Sequence, residues 1–184
     1  MRDDLREHII ESERIFSGRI VQLDHAKVKL PDGGTAMREI VHHALGACCL
    51  AVAPDGRIYT VEQYRIPMDD ITIELPAGKV DQGEDPLEAV KREMTEEIGM
   101  TAENVEFICK AAVSPGFTNE VVYIYIATGL VPMVAEPDED EFLSVKLYTI
   151  DQLLDMIADG RIYDAKTIMA IWYANLNREK YGIT

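Results

Sequence analysis

One central segment constrains the fold of this chain most, because both ends of a single helix can be located in it. Asp85 is a favourable N-cap, Pro86 suits the first helical position, and Glu88 stands where a capping box places its acidic residue. Gly99 is suited to end the helix. We therefore predict a helix over residues 85–98, with an apolar stripe at helical spacing formed by Leu87, Val90, Met94 and Ile98.

Strand-like segments lie on both sides of this helix. Apolar runs or alternating patterns bounded by turn residues predict strands at 47–52, 57–63, 72–75, 105–112, 121–128 and 142–150. Two further helices are expected at about 151–158 and 164–178. Strands before and after one central helix predict an α+β fold with antiparallel and mixed sheet.

The N-terminal part predicts a β-hairpin. After a charged leader, residues 15–29 alternate loosely and read as one strand-like run. Residues 31–34, Pro-Asp-Gly-Gly, are a strong turn signal, and alternation returns over residues 35–44.

Length and composition are those of a globular protein in a reducing compartment. The 184 residues, 47% hydrophobic and 28% charged, suit one domain or one domain with a small extension. No apolar run approaches the roughly 20 residues that span a bilayer, and the N-terminus is too charged for a signal peptide. Cys48, Cys49 and Cys109 lack metal-site spacing and are expected to be core thiols. A cytoplasmic location follows.

The charge balance restricts the partners. With 18 basic and 33 acidic residues the formal net charge is −15, which opposes nonspecific binding to nucleic acids or anionic membranes. A small phosphate-bearing substrate stays compatible if cations bridge it to the acidic groups.

The predicted helix carries glutamates that could bind such cations. Glu93 and Glu97 lie one turn apart, with Glu96 beside them. Magnesium commonly binds between one or two carboxylates and substrate phosphates. The helix alone leaves two interpretations open, a metal site and a solvated acidic face.

The spacing of the surrounding residues adds a resemblance. From Gly78 the sequence GKVDQGEDPLEAVKREMTEEIGM fits the pattern G-x5-E-x7-R-E-U-x-E-E-x-G-U, where U is a bulky aliphatic residue. This segment resembles the Nudix box. The resemblance implies a Nudix fold, an α/β/α sandwich with mixed sheet over residues 45–184, preceded by an N-terminal antiparallel β-hairpin extension over residues 1–44.

The resemblance also implies a metal site and its chemistry. Glu93 and Glu97 would be the principal ligands, Glu96 a further ligand or close partner, and Ala77 would lend its backbone carbonyl. The expected metal is Mg²⁺, with Mn²⁺ as the alternative. Two or three such ions would bind both phosphates and lower the pKa of an attacking water.

Other residues of the box are expected to support that site. Arg92, which we group with the catalytic residues, would pair with the glutamates and orient them, and Glu84 would assist. Gly78 and Gly99 would be required for the conformation of the backbone and not for contact with substrate.

Segments outside the box are similar to ADP-ribose pyrophosphatases. They are the loop SPGFTNE with Pro115 and the stretches VEQYR, ELPAG and DEDEF. The resemblance implies hydrolysis of ADP-ribose, or related nucleoside diphosphate sugars, to AMP and ribose 5-phosphate. The alternatives are a Nudix hydrolase of another nucleoside diphosphate derivative and a non-catalytic ADP-ribose-sensing module.

The resemblance suggests how substrate would be held. Arg65 and Arg38 would pair with phosphates, because arginine binds two oxygens at once, although a surface ion pair is the alternative for each. Glu120 would contact a ribose hydroxyl or the metal site. Phe16 would stack on adenine, with core packing as its alternative.

The acidic loop after the box is expected to supply the catalytic base. Glu141 is our choice and Glu139 the reserve, with a non-catalytic acidic turn as the alternative. His42 and His43 point to opposite faces of a strand and are expected to be structural or interface residues.

The subfamily resemblance finally implies a homodimer. Its N-terminal strands commonly exchange between subunits, so Arg38 and Phe16 would act across the dimer.

Overall fold

The computed structural model describes residues 3–134 and 142–184, which form two compact units. The first contains the N-terminal residues through Ala44 together with Ala112–Val121. The second contains Leu45–Ala111 and Val122–Thr184. The assignment of residues 1–44 as a dimerising extension and 45–184 as the catalytic domain stays a prediction.

The first unit is built on a three-stranded antiparallel sheet in the order β1-β2-β3, with β1 at His8–Ser17, β2 at Gln22–Lys29 and β3 at Thr35–His42. The predicted hairpin is confirmed: β2 and β3 pair in register from Gln22–His42 to Lys29–Thr35. The strand β1 was hidden in the charged leader, because all ten of its residues are exposed and show no alternating burial.

A turn corrects the prediction of one run over residues 15–29. The Gly18 N–H donates to the Val21 carbonyl at 2.9 Å, and this turn separates β1 from β2. The loop segment of the same unit joins β3, where the Val41 N–H donates to the Phe117 carbonyl at 2.8 Å and the Asn119 N–H donates to the Val41 carbonyl at 3.2 Å.

In its described residues, the second unit contains two sheets and four helices. The mixed sheet has the order β7-β4-β9-β8, and the antiparallel sheet has the order β10-β5-β6. Their bounds are β4 Gly46–Ala51, β5 Ile58–Arg65, β6 Asp70–Glu74, β7 Ala77–Lys79, β8 Met100–Ala112, β9 Val121–Pro132 and β10 Leu143–Tyr148. The helices are α1 Pro86–Ile98, α2 Ile150–Ala158, α3 Ala165–Leu176 and α4 Arg178–Tyr181, and short 3₁₀ helices occur at Asp3–Leu5 and Ile66–Met68. Within the described ranges no helix is long and apolar enough to cross a membrane.

Strand β4 explains the layered core. Cys48 and Leu50 of this strand, with Val52 just after it, belong to one hydrophobic cluster with residues of α2 and α3. Ala47, Cys49 and Ala51 belong to a second cluster with the apolar stripe of α1. Successive strand residues point to opposite faces, so both faces of the sheet are covered by helices. The predicted α/β/α sandwich is confirmed, and it accounts for the unbroken apolar run in the sequence.

Helix α1 begins and ends where the sequence predicts. The Leu87 N–H donates to Oδ1 of the N-cap Asp85 at 2.8 Å, and Gly99 has the left-handed φ of 64°. The predicted capping box is wrong, because Glu88 instead accepts a bond from Lys91 Nζ at 2.8 Å. This helix therefore keeps one N-terminal cap bond and places the glutamates of its C-terminal half beside β7.

Candidate active site

The two glutamates at the centre of the site are buried. Glu93 is only 9% exposed and Glu97 only 5%. A buried carboxylate requires compensation by hydrogen bonds or cations. The Ala77 N–H, at the start of β7, donates to Glu97 Oε2 at 2.9 Å. A solvated acidic face is thus excluded for these two residues, while the metal role of the Ala77 carbonyl stays a prediction.

Arg92 binds three carboxylates at once. Its Nη1 donates to Glu93 Oε1 at 2.8 Å and to Glu96 Oε2 at 2.9 Å, and its Nε donates to Glu84 Oε1 at 3.2 Å. Nη2 donates to the Lys79 carbonyl at 3.0 Å. The bond to Glu84, then the contacts with Glu93 and Glu96, raise the pKa of the guanidinium above its usual range against the opposing effect of partial burial. The geometry is that of a residue that orients the glutamates.

Glu84 is fixed from two directions. Besides its bonds with Arg92, its Oε2 accepts the Asp81 N–H at 2.9 Å. These bonds hold the pKa of the Glu84 carboxyl below its usual range. Glu84 therefore anchors Arg92 to the loop before α1.

The glycine at the start of the box serves a different purpose from the one predicted. A Cβ at Gly78 would overlap the carboxylate of Glu93, and Gly78 does not have a positive φ. Its lack of a side chain provides space for Glu93, so the prediction of a backbone role was wrong for Gly78. The prediction holds for Gly99, which has a φ of 64°.

The carboxylate oxygens of Glu93, Glu96 and Glu97 suit a hard divalent cation. In this structure the charges of Glu93 and Glu96 are compensated by Arg92. Among residues 3–134 and 142–184, no three His, Cys, Asp or Glu side chains form a group that could hold a metal ion. Arg92 Nη1 bonds to both Glu93 and Glu96 in this arrangement. Carboxylate oxygens are nevertheless the ligands that Mg²⁺ and Mn²⁺ prefer.

Arg65 is not in a simple surface ion pair. Its Nε donates to Glu74 Oε1 at 2.8 Å and its Nη2 to Glu74 Oε2 at 3.0 Å. Glu74 is only 5% exposed. Burial raises the pKa of the Glu74 carboxyl, but hydrogen bonds from Arg65, Lys166 and Thr72 outweigh that effect and hold it at about 2. The sequence analysis included Glu74 only as part of ELPAG and did not single out Lys166, because no local pattern indicates that these side chains pair.

The predicted substrate residues of the first unit lie in two places. Arg38 donates to Glu7 at 3.0 and 2.7 Å, an exposed ion pair, and lines an open groove of about 320 Å³. The other lining residues include Phe117, which the sequence analysis did not single out. Phe16 is 53% exposed, so core packing within this chain is excluded.

Glu120 and the two histidines have local partners. The His43 Nδ1 lies 3.7 Å from a Glu120 carboxylate oxygen and 2.8 Å from the Ala44 carbonyl. The His42 Nε2 lies 2.9 Å from Asp24 Oδ2. These contacts agree with structural roles for the histidines. The predicted bases Glu141 and Glu139 lie outside the described residues.

The comparison with known families decides the assignment. Residues 42–171 match the family model described as NUDIX domain. The chain belongs to the Nudix family. Members of this family generally use divalent metal cations.

Two relatives align with nearly the whole chain. The chain is 42% identical over 172 residues to the methanol dehydrogenase activator of Bacillus methanolicus, covering 92% of this chain and 93% of that protein. It is 40% identical over 174 residues to the ADP-ribose pyrophosphatase of Bacillus subtilis (strain 168), covering 94% of each. A crystal structure of an ADP compounds hydrolase superimposes with a TM-score of 0.86 over 97% of each chain at 20% identity, which supports the Nudix fold.

Proposed function

We propose that this Nudix protein hydrolyses the pyrophosphate bond of ADP-ribose, or of related nucleoside diphosphate sugars, to AMP and a sugar phosphate in the presence of Mg²⁺. The observation that carries the proposal is the pair of buried carboxylates, Glu93 and Glu97, within a complete Nudix box. The 40% identity to an ADP-ribose pyrophosphatase supports the choice of substrate.

Glu93, Glu96, Glu97 and the Ala77 carbonyl would hold the metal. Bound there, Mg²⁺, or Mn²⁺ in its place, would neutralise the phosphates and lower the pKa of the attacking water. Arg92 Nη1 bonds to one oxygen each of Glu93 and Glu96, and a carboxylate can accept such a bond while its other oxygen binds a cation. Its remaining bonds to Glu84 and the Lys79 carbonyl keep Arg92 beside the site.

Arg65 would bind a phosphate of the substrate. Glu74 holds its guanidinium by two bonds, so the plane of the donors is fixed before substrate arrives. A preorganised cation loses less conformational entropy on binding than a free side chain does. We further assign the base to Glu141, with Glu139 as the reserve.

Residues of the first unit would contact the substrate of the other subunit in the proposed homodimer. Arg38 and Phe117 line one groove and offer a cation and an exposed aromatic ring, the two groups that phosphate and adenine require. Phe16 would stack on the adenine ring. Glu120 would contact a ribose hydroxyl or the metal site.

A panel assay tests the activity. Purified protein is incubated with ADP-ribose, GDP-mannose, a dinucleotide cofactor and an oxidised nucleotide, with Mg²⁺, Mn²⁺ or EDTA, and the products are separated by chromatography. We expect ADP-ribose to be turned over fastest and EDTA to abolish turnover. Slower turnover of ADP-ribose than of another diphosphate would refute the substrate assignment.

A second candidate function comes from the 42% identity to a methanol dehydrogenase activator. It is tested by adding the protein to an assayed methanol dehydrogenase, with the Glu97→Gln variant alongside. Activation by the wild type alone would tie the effect to hydrolysis, while equal activation by both would indicate a binding role. No activation by either would exclude this candidate.

We propose that the protein forms a homodimer through its first unit. Every residue of β1 is exposed in the single chain, including the apolar side chains of Ile9, Ile10, Ile15 and Phe16. Apolar exposure of this extent is typical of an interaction surface. Light scattering coupled to size-exclusion chromatography would give twice the chain mass, and a monomer mass would contradict the proposal.

We also place the protein in the cytoplasm. Cys48, Cys49 and Cys109 are free thiols, as a reducing compartment favours. Burial raises the pKa of the Cys48 thiol to about 12, so this residue is inert. Fractionation of the native cells would test the assignment, and recovery outside the cytoplasm would overturn it.

A further inference from the structure

A half-buried lysine, Lys166, lies at the start of α3, outside the Nudix box. The Lys166 side chain is only 17% exposed, and its Nζ donates to Glu74 Oε2 at 2.6 Å and to Asp164 Oδ2 at 2.9 Å. Lysine is seldom buried unless it is paired. Its two carboxylate partners therefore account for its position.

Glu74 joins this lysine to Arg65. Its Oε1 accepts from Arg65 Nε at 2.8 Å and from Thr72 Oγ1 at 2.6 Å. Its Oε2 accepts from Arg65 Nη2 at 3.0 Å and from Lys166 Nζ at 2.6 Å. Both oxygens thus have two donors each, and the carboxylate cannot rotate without breaking several bonds.

The N-terminus of α3 fixes this arrangement to the end of β6. Asp164 is the N-cap of α3, and its Oδ2 accepts from the Thr167 N–H at 3.1 Å and from Thr167 Oγ1 at 2.6 Å. The fully buried Thr167 Oγ1 in turn accepts the Leu75 N–H at 3.0 Å. Lys166 therefore comes from a helix that is bonded to the residue directly after Glu74.

The charges make Lys166 necessary. Among the described contacts, Arg65 and Lys166 contribute positive charge to this cluster, and Glu74 and Asp164 contribute negative charge. Without Lys166, Arg65 alone would compensate Glu74, and Asp164 would lose its cationic partner. An uncompensated buried carboxylate is costly, so the side chains would rearrange around Arg65.

We infer that Lys166 is a positioning residue for Arg65, acting through Glu74, and so contributes to phosphate binding from a distance. The inference rests on the proposed function, in which Arg65 binds a phosphate. A contact that is equal in the ground state and the transition state changes KM more than kcat. The expected signature is therefore a loss of substrate affinity with the metal requirement kept.

The test compares Lys166→Met with the wild type on ADP-ribose. We expect KM to rise by about tenfold, kcat to change by less than about threefold, and the Mg²⁺ concentration for half-maximal activity to stay the same. Lys166→Arg, which keeps the charge, should recover most of the affinity. The matched control is Lys180→Met, which removes an exposed lysine bonded to Glu106 and should leave KM and kcat unchanged.

A double-mutant cycle separates positioning from general destabilisation. In an Arg65→Gln background, Lys166→Met should raise KM by less than about twofold, because the residue through which Lys166 acts is gone. An unchanged KM for Lys166→Met, or an independent effect in the Arg65→Gln background, would overturn the inference. So would a loss of kcat and Mg²⁺ response with KM kept.

A charge-balanced variant covers the case in which Lys166→Met does not fold. Glu74→Gln combined with Lys166→Met removes one charge of each sign. The KM of this double variant should also rise by about tenfold. A wild-type KM in this variant would overturn the inference. If the wild type hydrolyses another diphosphate in place of ADP-ribose, the proposed substrate fails, and the same variants measured on that diphosphate still decide the role of Lys166.

Discussion

The carboxylate of Glu93 takes the space that a side chain at Gly78 would need. A Cβ built at Gly78 overlaps the Glu93 carboxylate, and Glu93 is buried in the C-terminal half of α1. The first glycine of the box and the glutamate proposed as its first metal ligand therefore pack together, although fifteen positions separate them in the chain.

We predict that Gly78→Ala lowers activity by displacing the Glu93 carboxylate. The added methyl group should cost about 1–3 kcal/mol of folding free energy, the usual range for overpacking. Activity should fall further than this loss of stability explains, and added Mg²⁺ should restore it only in part. Gly83→Ala is the control, because a Cβ there meets nothing within 4 Å, although its φ of 86° brings backbone strain. Equal activity in the two variants would contradict the packing argument.

The sequence identifies the residues proposed for the chemistry better than it identifies the residues that hold them in place. The spacing of the box predicts Glu93, Glu97 and Arg92, because helical periodicity and local loops bring them together. Glu74 and Lys166 are 92 positions apart and meet only through the packing of α3 against the end of β6. Neither residue type nor local pattern reveals such a pair, which depends on tertiary structure.

Glu97→Gln should remove most of the activity while the protein stays folded. The glutamine oxygen can still accept the Ala77 N–H, but the anionic ligand is lost. We expect turnover to fall by about 100-fold, the upper end of the effects known for groups that support metal sites. Mg²⁺ titrations of activity, with circular dichroism to verify folding, provide the measurement. Unchanged kinetics would rule out Glu97 as a metal ligand.

The sequence predicts the elements whose capping residues or apolar runs are clear. It predicts less well those strands whose exposed residues show no alternation of apolar and polar side chains. The apolar run predicts the bounds of β4, and the capping residues predict the bounds of α1, each to within one or two residues. Strand β1 has no buried face within the chain, so alternation could not reveal it. The short β7 lies between Pro76 and the box loop and has only three residues, too few for a periodic pattern.

Acid should destabilise the protein partly through Glu74. Its pKa is held at about 2 against an ordinary value of 4.5, so its ionised form stabilises the folded state. This contribution is complete above the unfolded pKa and is lost as the pH falls from about 4.5 towards 2; the shift corresponds to about 3 kcal/mol at neutral pH. Urea unfolding between pH 7 and pH 3 should show a shallower loss of stability for Glu74→Gln than for the wild type. If the stability of the two proteins fell equally with pH, Glu74 would not be a source of the acid sensitivity.

Glu141 and Glu139, which lie outside the described residues, are the glutamates proposed as the catalytic base. Replacing Glu141 by glutamine should slow turnover while substrate binding is largely kept, because a general base acts in the chemical step and contributes about 100-fold or more to the rate. Single-turnover kinetics would separate this step from binding and product release. Glu139→Gln is the matched control, with one carboxylate removed from the same loop. If Glu139→Gln lost turnover and Glu141→Gln did not, the base would be Glu139; normal rates in both would exclude this loop as the source of the base.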